Sequence, residues 1–126
     1  MNLSVGDPSA YLEEANEKLK ASKSLMDNGF FDDSVSRSYY AIYNAAKAAL
    51  VSKDLDAKTH SGLISLFSKE FVKTGEIKVE VGKAMSHVQE GREKADYEPL
   101  IDADREEAEE MLEKAEAFVS AVEDLF

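Results

Sequence analysis

Hydrophobic residues recur at three- and four-residue intervals along five stretches of the chain, with short polar breaks between them. This spacing is typical of amphipathic helices that each bury one face. The predicted helices run from about Pro8 to Asn28, Asp33 to Val51, Thr59 to Thr74, Glu76 to Tyr97 and Asp102 to Leu125. Long helices with short connections favour antiparallel neighbours. The sequence therefore predicts an all-α fold, an up-and-down bundle of about five helices.

Short polar residues and proline mark the expected helix ends. The predicted starts are capped by Asp7 followed by Pro8, by Asp32 or Asp33, and by Asp102. An Asp side chain can accept a hydrogen bond from the first free N–H groups of a helix, and proline fits the first helical position. Asn28-Gly29 predicts a left-handed stop, and Pro99 separates the last two helices.

The second and fourth helices carry further packing signals. The predicted buried stripe of the second helix consists of Val35, Tyr39, Ile42, Ala46 and Ala49. Gly82 and Gly91 lie inside the fourth helix, where each glycine costs about 1 kcal/mol relative to alanine. Glycines at such positions usually have a packing reason, so they indicate a close contact with another helix or subunit.

The size of the chain, 126 residues, predicts a single domain over residues 1–126, with about seven N-terminal residues outside the core. The chain has no cysteine, which excludes thiolate chemistry and fits a reducing compartment. The N-terminus lacks the basic and apolar regions of a signal peptide, and no apolar run is long enough to cross a bilayer. We therefore expect a soluble, cytoplasmic protein without membrane contact.

The formal net charge of −11 changes the functional picture. Neutralisation of phosphates supplies most non-specific affinity for nucleic acids, and a strongly acidic chain lacks it. Constitutive binding of DNA or RNA by the bare monomer is disfavoured, and DNA is not an expected partner. A basic partner protein is favoured instead.

Most enzyme signatures are missing from the sequence. It has no P-loop, no glycine-rich dinucleotide turn and no His-Glu-x-x-His zinc motif. The Glu-x-x-His motif of carboxylate-bridged metal bundles is also absent, because Ala84 stands three residues before His87. We therefore expect no metal and no cofactor.

The chain has two histidines. His60 lies at the start of the third helix, in Lys-Thr-His-Ser-Gly over residues 58–62. One interpretation is a capping loop with a half-packed imidazole. The other is an anion site, because N–H groups at a helix start attract phosphate and Lys58 and Thr59 would assist. His87 is interpreted as a surface or inter-helix residue.

A polar stripe on the second helix holds further candidates: Arg37, Tyr40, Asn44 and Lys47. In one interpretation Arg37 is partly buried and paired with a carboxylate of a neighbouring helix, and the tyrosines pack at the edge of the bundle. In the other, tyrosine rings stack on bases while Arg37 or Lys47 holds phosphate.

The end of the fourth helix holds the last candidates. Arg92 and Asp96 are four residues apart and could simply pair along the helix. Tyr97 follows at the helix end. These three residues are the candidates for a catalytic role, although spacing alone does not establish one.

Several ordered motifs together resemble one small-protein branch of the HEPN superfamily (higher eukaryotes and prokaryotes nucleotide-binding). They are Ser-Arg-Ser-Tyr-Tyr-Ala at 36–41, Ala-Ala-Lys-Ala at 45–48, Lys-Thr-His-Ser-Gly at 58–62, Phe-Val-Lys-Thr-Gly at 71–75 and Arg92-x-x-x-Asp96-Tyr97. The resemblance covers about residues 8 to 125. It implies an up-and-down helical bundle and a symmetric homodimer.

The resemblance also implies a chemistry, which this sequence only partly matches. Many HEPN proteins are metal-independent endoribonucleases, often toxins paired with a minimal nucleotidyltransferase antitoxin. Their site uses an arginine followed four to six residues later by a histidine, with two copies facing each other across the dimer. Arg92 matches the arginine, but Tyr97 stands in the place of the histidine and no histidine follows. A tyrosine with a pKa near ~10 is a poor general base at neutral pH.

Three hypotheses follow from these observations. The leading one is a non-catalytic, homodimeric HEPN module that binds a nucleotide, RNA or a nucleotidyltransferase-type partner in a toxin–antitoxin-like system, with Arg92 of both chains near the two-fold axis. The alternative is a weak metal-independent endoribonuclease using Arg92 with Asp96 and Tyr97, with His60 or His87 reaching in from elsewhere. The third is a purely structural bundle whose polar stripe orients helices.

Overall fold

The computed structural model describes residues 7–97 and 103–126, and the side chains of residues 94–97 lie outside that description. Five α-helices cover most of this part of the chain, and no strand occurs in it. They are α1 (Pro8–Asp27), α2 (Phe31–Ser52), α3 (His60–Phe67), α4 (Val79–Tyr97) and α5 (Arg105–Glu123). A π-helical turn, Ser68–Val72, directly continues α3. The predicted all-α class is confirmed.

The four long helices alternate in direction. Ser22, late in α1, is hydrogen-bonded to Ser34, early in α2 (3.0 Å), so these consecutive helices run antiparallel. Gly91, late in α4, lies against Val35 and Met111, which are early in α2 and α5. The helices α1, α2, α4 and α5 therefore form the predicted up-and-down bundle.

The helical stripes predicted from the sequence form the core. On α2 the predicted stripe is buried in full, and on α1 Ala15 and Met26 are buried while the partly buried Leu12 and Leu19 pack against the core. The short α3 and its π turn add an aromatic cap: the ring of Phe67 lies 5.2 Å from that of Phe71 and 5.1 Å from that of Phe118 on α5. The end of α3 is thereby packed against α5.

The ends of α1 follow the sequence prediction. The Asp7 side chain accepts a hydrogen bond from the N–H of Ser9 (2.9 Å), and Pro8 occupies the first turn. At the other end Gly29 has a φ of +83°, a left-handed conformation that glycine adopts without a steric penalty.

The predicted caps of α2 and α5 are corrected by the structure. α2 begins at Phe31 and no side chain caps it, because Asp32 instead accepts a hydrogen bond from the N–H of Ala103 (2.7 Å). Asp104 caps α5 by accepting from the N–H of Glu107 (2.8 Å). The predicted cap Asp102 lies outside the described residues, as does Pro99.

The third and fourth helices also differ from the prediction. The α-helical part of α3 ends at Phe67, and the π turn takes the chain on to Val72. α4 begins at Val79 rather than Glu76, because the N–H of Ile77 donates to the carbonyl of Phe71 (2.9 Å) and the Ile77 side chain is buried. This tertiary anchor holds residues 73–78 in a turn.

Candidate functional site

Three tyrosines on α2 form one wall of the candidate site. Tyr39 is almost fully buried, whereas Tyr40 and Tyr43 are partly exposed. The rings of Tyr39 and Tyr40 meet edge to face with centroids 5.3 Å apart, and those of Tyr40 and Tyr43 are 6.4 Å apart. Residues three and four apart share a helix face, so Tyr39 and Tyr40 both lie next to Tyr43.

His60 joins these tyrosines from the first position of α3. The Tyr39 hydroxyl group is hydrogen-bonded to Nδ1 of His60, and the planes of the two rings differ by only 11°. The ring of Tyr43 lies 4.8 Å from the imidazole, centroid to centroid. The Thr59 hydroxyl group accepts a hydrogen bond from the N–H of Gly62 (2.9 Å), so the cap of α3 helps to hold His60 in place.

Arg92 reaches the same site from α4. Its Cζ atom lies 4.7 Å from the ring centroid of Tyr39 and 5.7 Å from that of Tyr40. A guanidinium over an aromatic face is a cation–π contact, worth roughly 0.5 to 2 kcal/mol depending on solvent exposure. We call Tyr39, Tyr40, Tyr43, His60 and Arg92 together the aromatic cluster.

The electrostatics of the aromatic cluster set its protonation states. Burial raises the pKa of Tyr39 to about 12, although the nearby Arg92 guanidinium lowers it in part. Burial and then the positive charge of Arg92 hold the pKa of His60 below its ordinary value of 6.5. At neutral pH the cluster therefore combines a protonated tyrosine, a neutral imidazole and one guanidinium cation.

Two residues of the predicted polar stripe, Asn44 and Lys47, make hydrogen bonds within the chain. The Asn44 side chain donates to the Tyr40 carbonyl one turn earlier (2.8 Å). The Lys47 ammonium group pairs with Asp56 and donates to the Ala57 carbonyl (3.3 Å). Lys47 thus ties α2 to the loop before His60.

The prediction that Arg37 is partly buried and paired is wrong. The side chain is exposed rather than partly buried, and within the described part of the chain it makes no ion pair. The reason is its position on α2. Val35, Ser38 and Tyr39 lie on the buried face of the helix, whereas Arg37 lies on the face exposed to solvent. Of the predicted stripe, Tyr40 alone belongs to the aromatic cluster.

The remaining candidates fall at three other places. Lys58 is exposed beside the start of α3, and Thr59 is the N-cap of that helix. Asp96 and Tyr97 stand in the last turn of α4, but their side chains lie outside the described residues. His87 is an exposed residue whose Nε2 lies 3.8 Å from a carboxylate oxygen of Glu110, as expected for a surface position.

Sequence reasoning missed two members of the aromatic cluster. Tyr39 was assigned to the core, which is correct for its burial but omits its bond to His60 and its contact with Arg92. Tyr43 was not singled out at all. The available signal was the repetition of tyrosine at positions 39, 40 and 43, which places three rings around one side of α2.

Within residues 7–97 and 103–126, as far as their side chains are described, no group of three His, Asp or Glu residues could hold a metal ion. None of the helices in the described part is long and apolar enough to span a bilayer.

Residues 9–125 match the HEPN domain family. A Methanocaldococcus jannaschii protein named "Putative toxin MJ0142" is 38% identical over 109 residues, 86% of this chain and 74% of that protein. A second from the same organism, "Putative toxin MJ0605", is 40% identical over 113 residues, 90% and 84% of the two chains. A "UPF0332 protein" of Thermotoga maritima is 37% identical over 111 residues, 88% and 84% of the two chains.

A solved structure agrees in fold. The protein TT1696 from Thermus thermophilus superposes with a TM-score of 0.81 at 18% identity, over 94% of this chain and 98% of that one. Together with the sequence matches, the helical bundle places the chain in a defined class: it belongs to the HEPN family.

Proposed function

We propose that this chain is a HEPN module that binds single-stranded RNA or a nucleotide at the aromatic cluster, as one component of a toxin–antitoxin-like pair. The observation that carries the proposal is the position of Arg92, whose guanidinium lies over Tyr39 and Tyr40 while His60 is bonded to the same Tyr39. Three separate helices bring a cation, an imidazole and stacked rings together.

The chemistry of the aromatic cluster suits an unpaired nucleotide. Tyr40 and Tyr43 are partly exposed rings, and stacking of one base on an aromatic side chain contributes about 1 to 3 kcal/mol. Arginine binds phosphate with a planar set of donors. One ring face and one guanidinium therefore provide both a base contact and a phosphate contact.

The charge of the chain limits how this binding works. With a net charge of −11, long-range attraction of RNA is absent, so affinity depends on the cluster itself and on a second protein. The names of two relatives contain the word toxin, which supports a partner of the antitoxin kind, and we propose a nucleotidyltransferase-type protein. We also propose a homodimer with both Arg92 residues near the two-fold axis, to be tested by analytical ultracentrifugation.

A second candidate function is a metal-independent endoribonuclease that uses Arg92 and His60. A specific observation favours it: His60, although it precedes Arg92 by 32 positions, is close enough for the Arg92 charge to lower its pKa. The imidazole could then replace the histidine that is missing after Arg92. The chemistry would be activation of a ribose 2′-OH beside a phosphate held by arginine.

One experiment tests both candidates on the same samples. A fluorescently labelled single-stranded RNA oligonucleotide is titrated with wild type, Arg92→Ala and Lys20→Ala in EDTA, and each sample is then run on a denaturing gel. Lys20→Ala is the charge-matched control, because its side chain is 78% exposed on α1. We expect binding that weakens at least tenfold in Arg92→Ala alone.

The gel separates the two functions. Intact RNA in samples that bind it supports the binding module, whereas cleavage that disappears in Arg92→Ala supports the ribonuclease. Equal binding by all three proteins, or binding by none, would overturn the role of the aromatic cluster.

A further inference from the structure

The hydroxyl group of Tyr39 is buried between α2 and α3. The side chain is 1% exposed, and its hydroxyl group is hydrogen-bonded to Nδ1 of His60. Within the described part of the chain this is the hydroxyl group's one hydrogen bond. A buried O–H needs an acceptor for its proton, since an unsatisfied donor is costly.

The direction of this hydrogen bond follows from the two protonation states. The raised pKa of Tyr39 keeps its proton in place at neutral pH, so the group is an O–H donor. The imidazole is neutral under the same conditions. If Nδ1 of His60 carried the ring proton, Nδ1 would be the donor in this hydrogen bond. The Tyr39 O–H would then have no acceptor for its own proton. The Tyr39 O–H therefore donates to a bare Nδ1.

A neutral imidazole has a single proton on its ring nitrogens, so a bare Nδ1 puts that proton on Nε2. We infer that Tyr39 is a positioning residue that fixes His60 as the Nε2–H tautomer, which makes His60 a hydrogen-bond donor to a phosphate oxygen. This inference rests on the proposed function for the identity of the ligand. The assignment of the tautomer does not depend on the proposed function.

The tautomer bears on the choice between the two candidate functions. A donor at Nε2 acts with the Arg92 guanidinium as a second N–H group for an anion. A general base needs a bare ring nitrogen facing the substrate, and in this tautomer the bare nitrogen is occupied by Tyr39. The inference therefore favours anion binding over proton abstraction by His60.

The test is a long-range ¹H–¹⁵N correlation spectrum of the uniformly ¹⁵N-labelled full chain near pH 7.5, which distinguishes protonated from bare ring nitrogens. We expect His60 to show a protonated Nε2 and a bare Nδ1. In Tyr39→Phe the aromatic ring beside Arg92 is kept but the hydroxyl group is lost, and both nitrogens should shift towards values averaged over the two tautomers. Tyr40→Phe removes a hydroxyl group that does not bond His60, so the His60 pattern should persist.

The outcomes separate this inference from the proposed function. A proton on Nδ1 in wild type would overturn it, as would an unchanged His60 spectrum in a folded Tyr39→Phe. Should Tyr39→Phe fail to fold, the wild-type spectrum still decides the tautomer. Addition of the RNA oligonucleotide should then shift the Nε2–H resonance. A correct tautomer with no response to RNA would overturn the phosphate-donor role and the RNA-binding proposal, while the tautomer assignment would stand.

Discussion

Val72, in the π turn, packs directly on Gly82 of α4: a Cβ atom placed on Gly82 would lie 2.6 Å from Cγ2 of Val72. Gly91, nine residues further along α4, has ordinary space around it, with Cγ1 of Val35 at 3.5 Å from such a Cβ. The two glycines were expected to mark a close helix or subunit contact. Gly82 marks such a contact within the chain, and Gly91 does not require a glycine.

The two glycines give a matched pair of substitutions. We expect Gly82→Ala to lower the free energy of unfolding by about 1 to 2 kcal/mol, because overpacking against a stiff β-branched side chain outweighs the gain in helix propensity. Gly91→Ala should raise it by about 0.5 to 1 kcal/mol. Urea denaturation measures both. If Val72→Ala did not relieve the effect of Gly82→Ala, steric contact would not be its cause.

A buried serine network joins α1 to α2 and supports a second prediction. The Ser22 hydroxyl group is hydrogen-bonded to the hydroxyl groups of Ser34 (3.0 Å) and Ser38 (2.8 Å), and all three side chains are fully buried. Ser22→Ala should cost about 1 to 3 kcal/mol, because buried partners lose a hydrogen bond. Ser24→Ala, on the exposed face of α1, should stay within about 0.5 kcal/mol of wild type in the same thermal melts.

The titration of His60 predicts a loss of stability in mild acid. The folded chain holds the pKa of His60 below 6.5, so the unfolded chain binds the proton first as the pH falls. The contribution of His60 is therefore complete above about pH 6.5 and is lost as the pH falls through the lower folded value. Denaturation midpoints between pH 7.5 and 5 should fall less steeply in His60→Gln than in wild type. Identical slopes in the two proteins would contradict the prediction.

Arg37 provides the fourth prediction. Since its side chain is exposed and makes no ion pair with the described residues, Arg37→Met should change the free energy of unfolding by less than about 0.5 kcal/mol. Chemical denaturation followed by circular dichroism measures this. A loss of more than about 1 kcal/mol would restore the original interpretation of a paired, partly buried arginine.

The sequence predicted the helices and their buried faces well, because in a bundle each helix buries one stripe and the three- and four-residue period records it. The caps were less certain where several aspartates lie close together. From the sequence, Asp32 and Asp33 could each cap α2. Only the structure shows that Asp32 instead accepts a hydrogen bond from the N–H of Ala103, which is distant in sequence and lies just before α5. The turn before α4 depends in the same way on the bond between Ile77 and Phe71.

The aromatic cluster was predicted in part for a related reason. Three of its members, Tyr40, His60 and Arg92, are separate candidates in the sequence, as a tyrosine, a capping-loop histidine and a helix-end arginine. Their meeting point depends on the packing of α2, α3 and α4, which single-residue patterns do not encode. Tyr39 shows this most directly, since the same periodicity that identifies it as core hides its hydroxyl group's bond to His60.

The crowding of tyrosines around His60 has a spectroscopic consequence. The chain has no tryptophan and only five tyrosines, of which three, at positions 39, 40 and 43, belong to the aromatic cluster. Ultraviolet-excited emission of the unlabelled protein therefore originates largely from this one place. A nucleobase stacked there would quench that emission, so the wild-type chain carries its own optical reporter of occupancy.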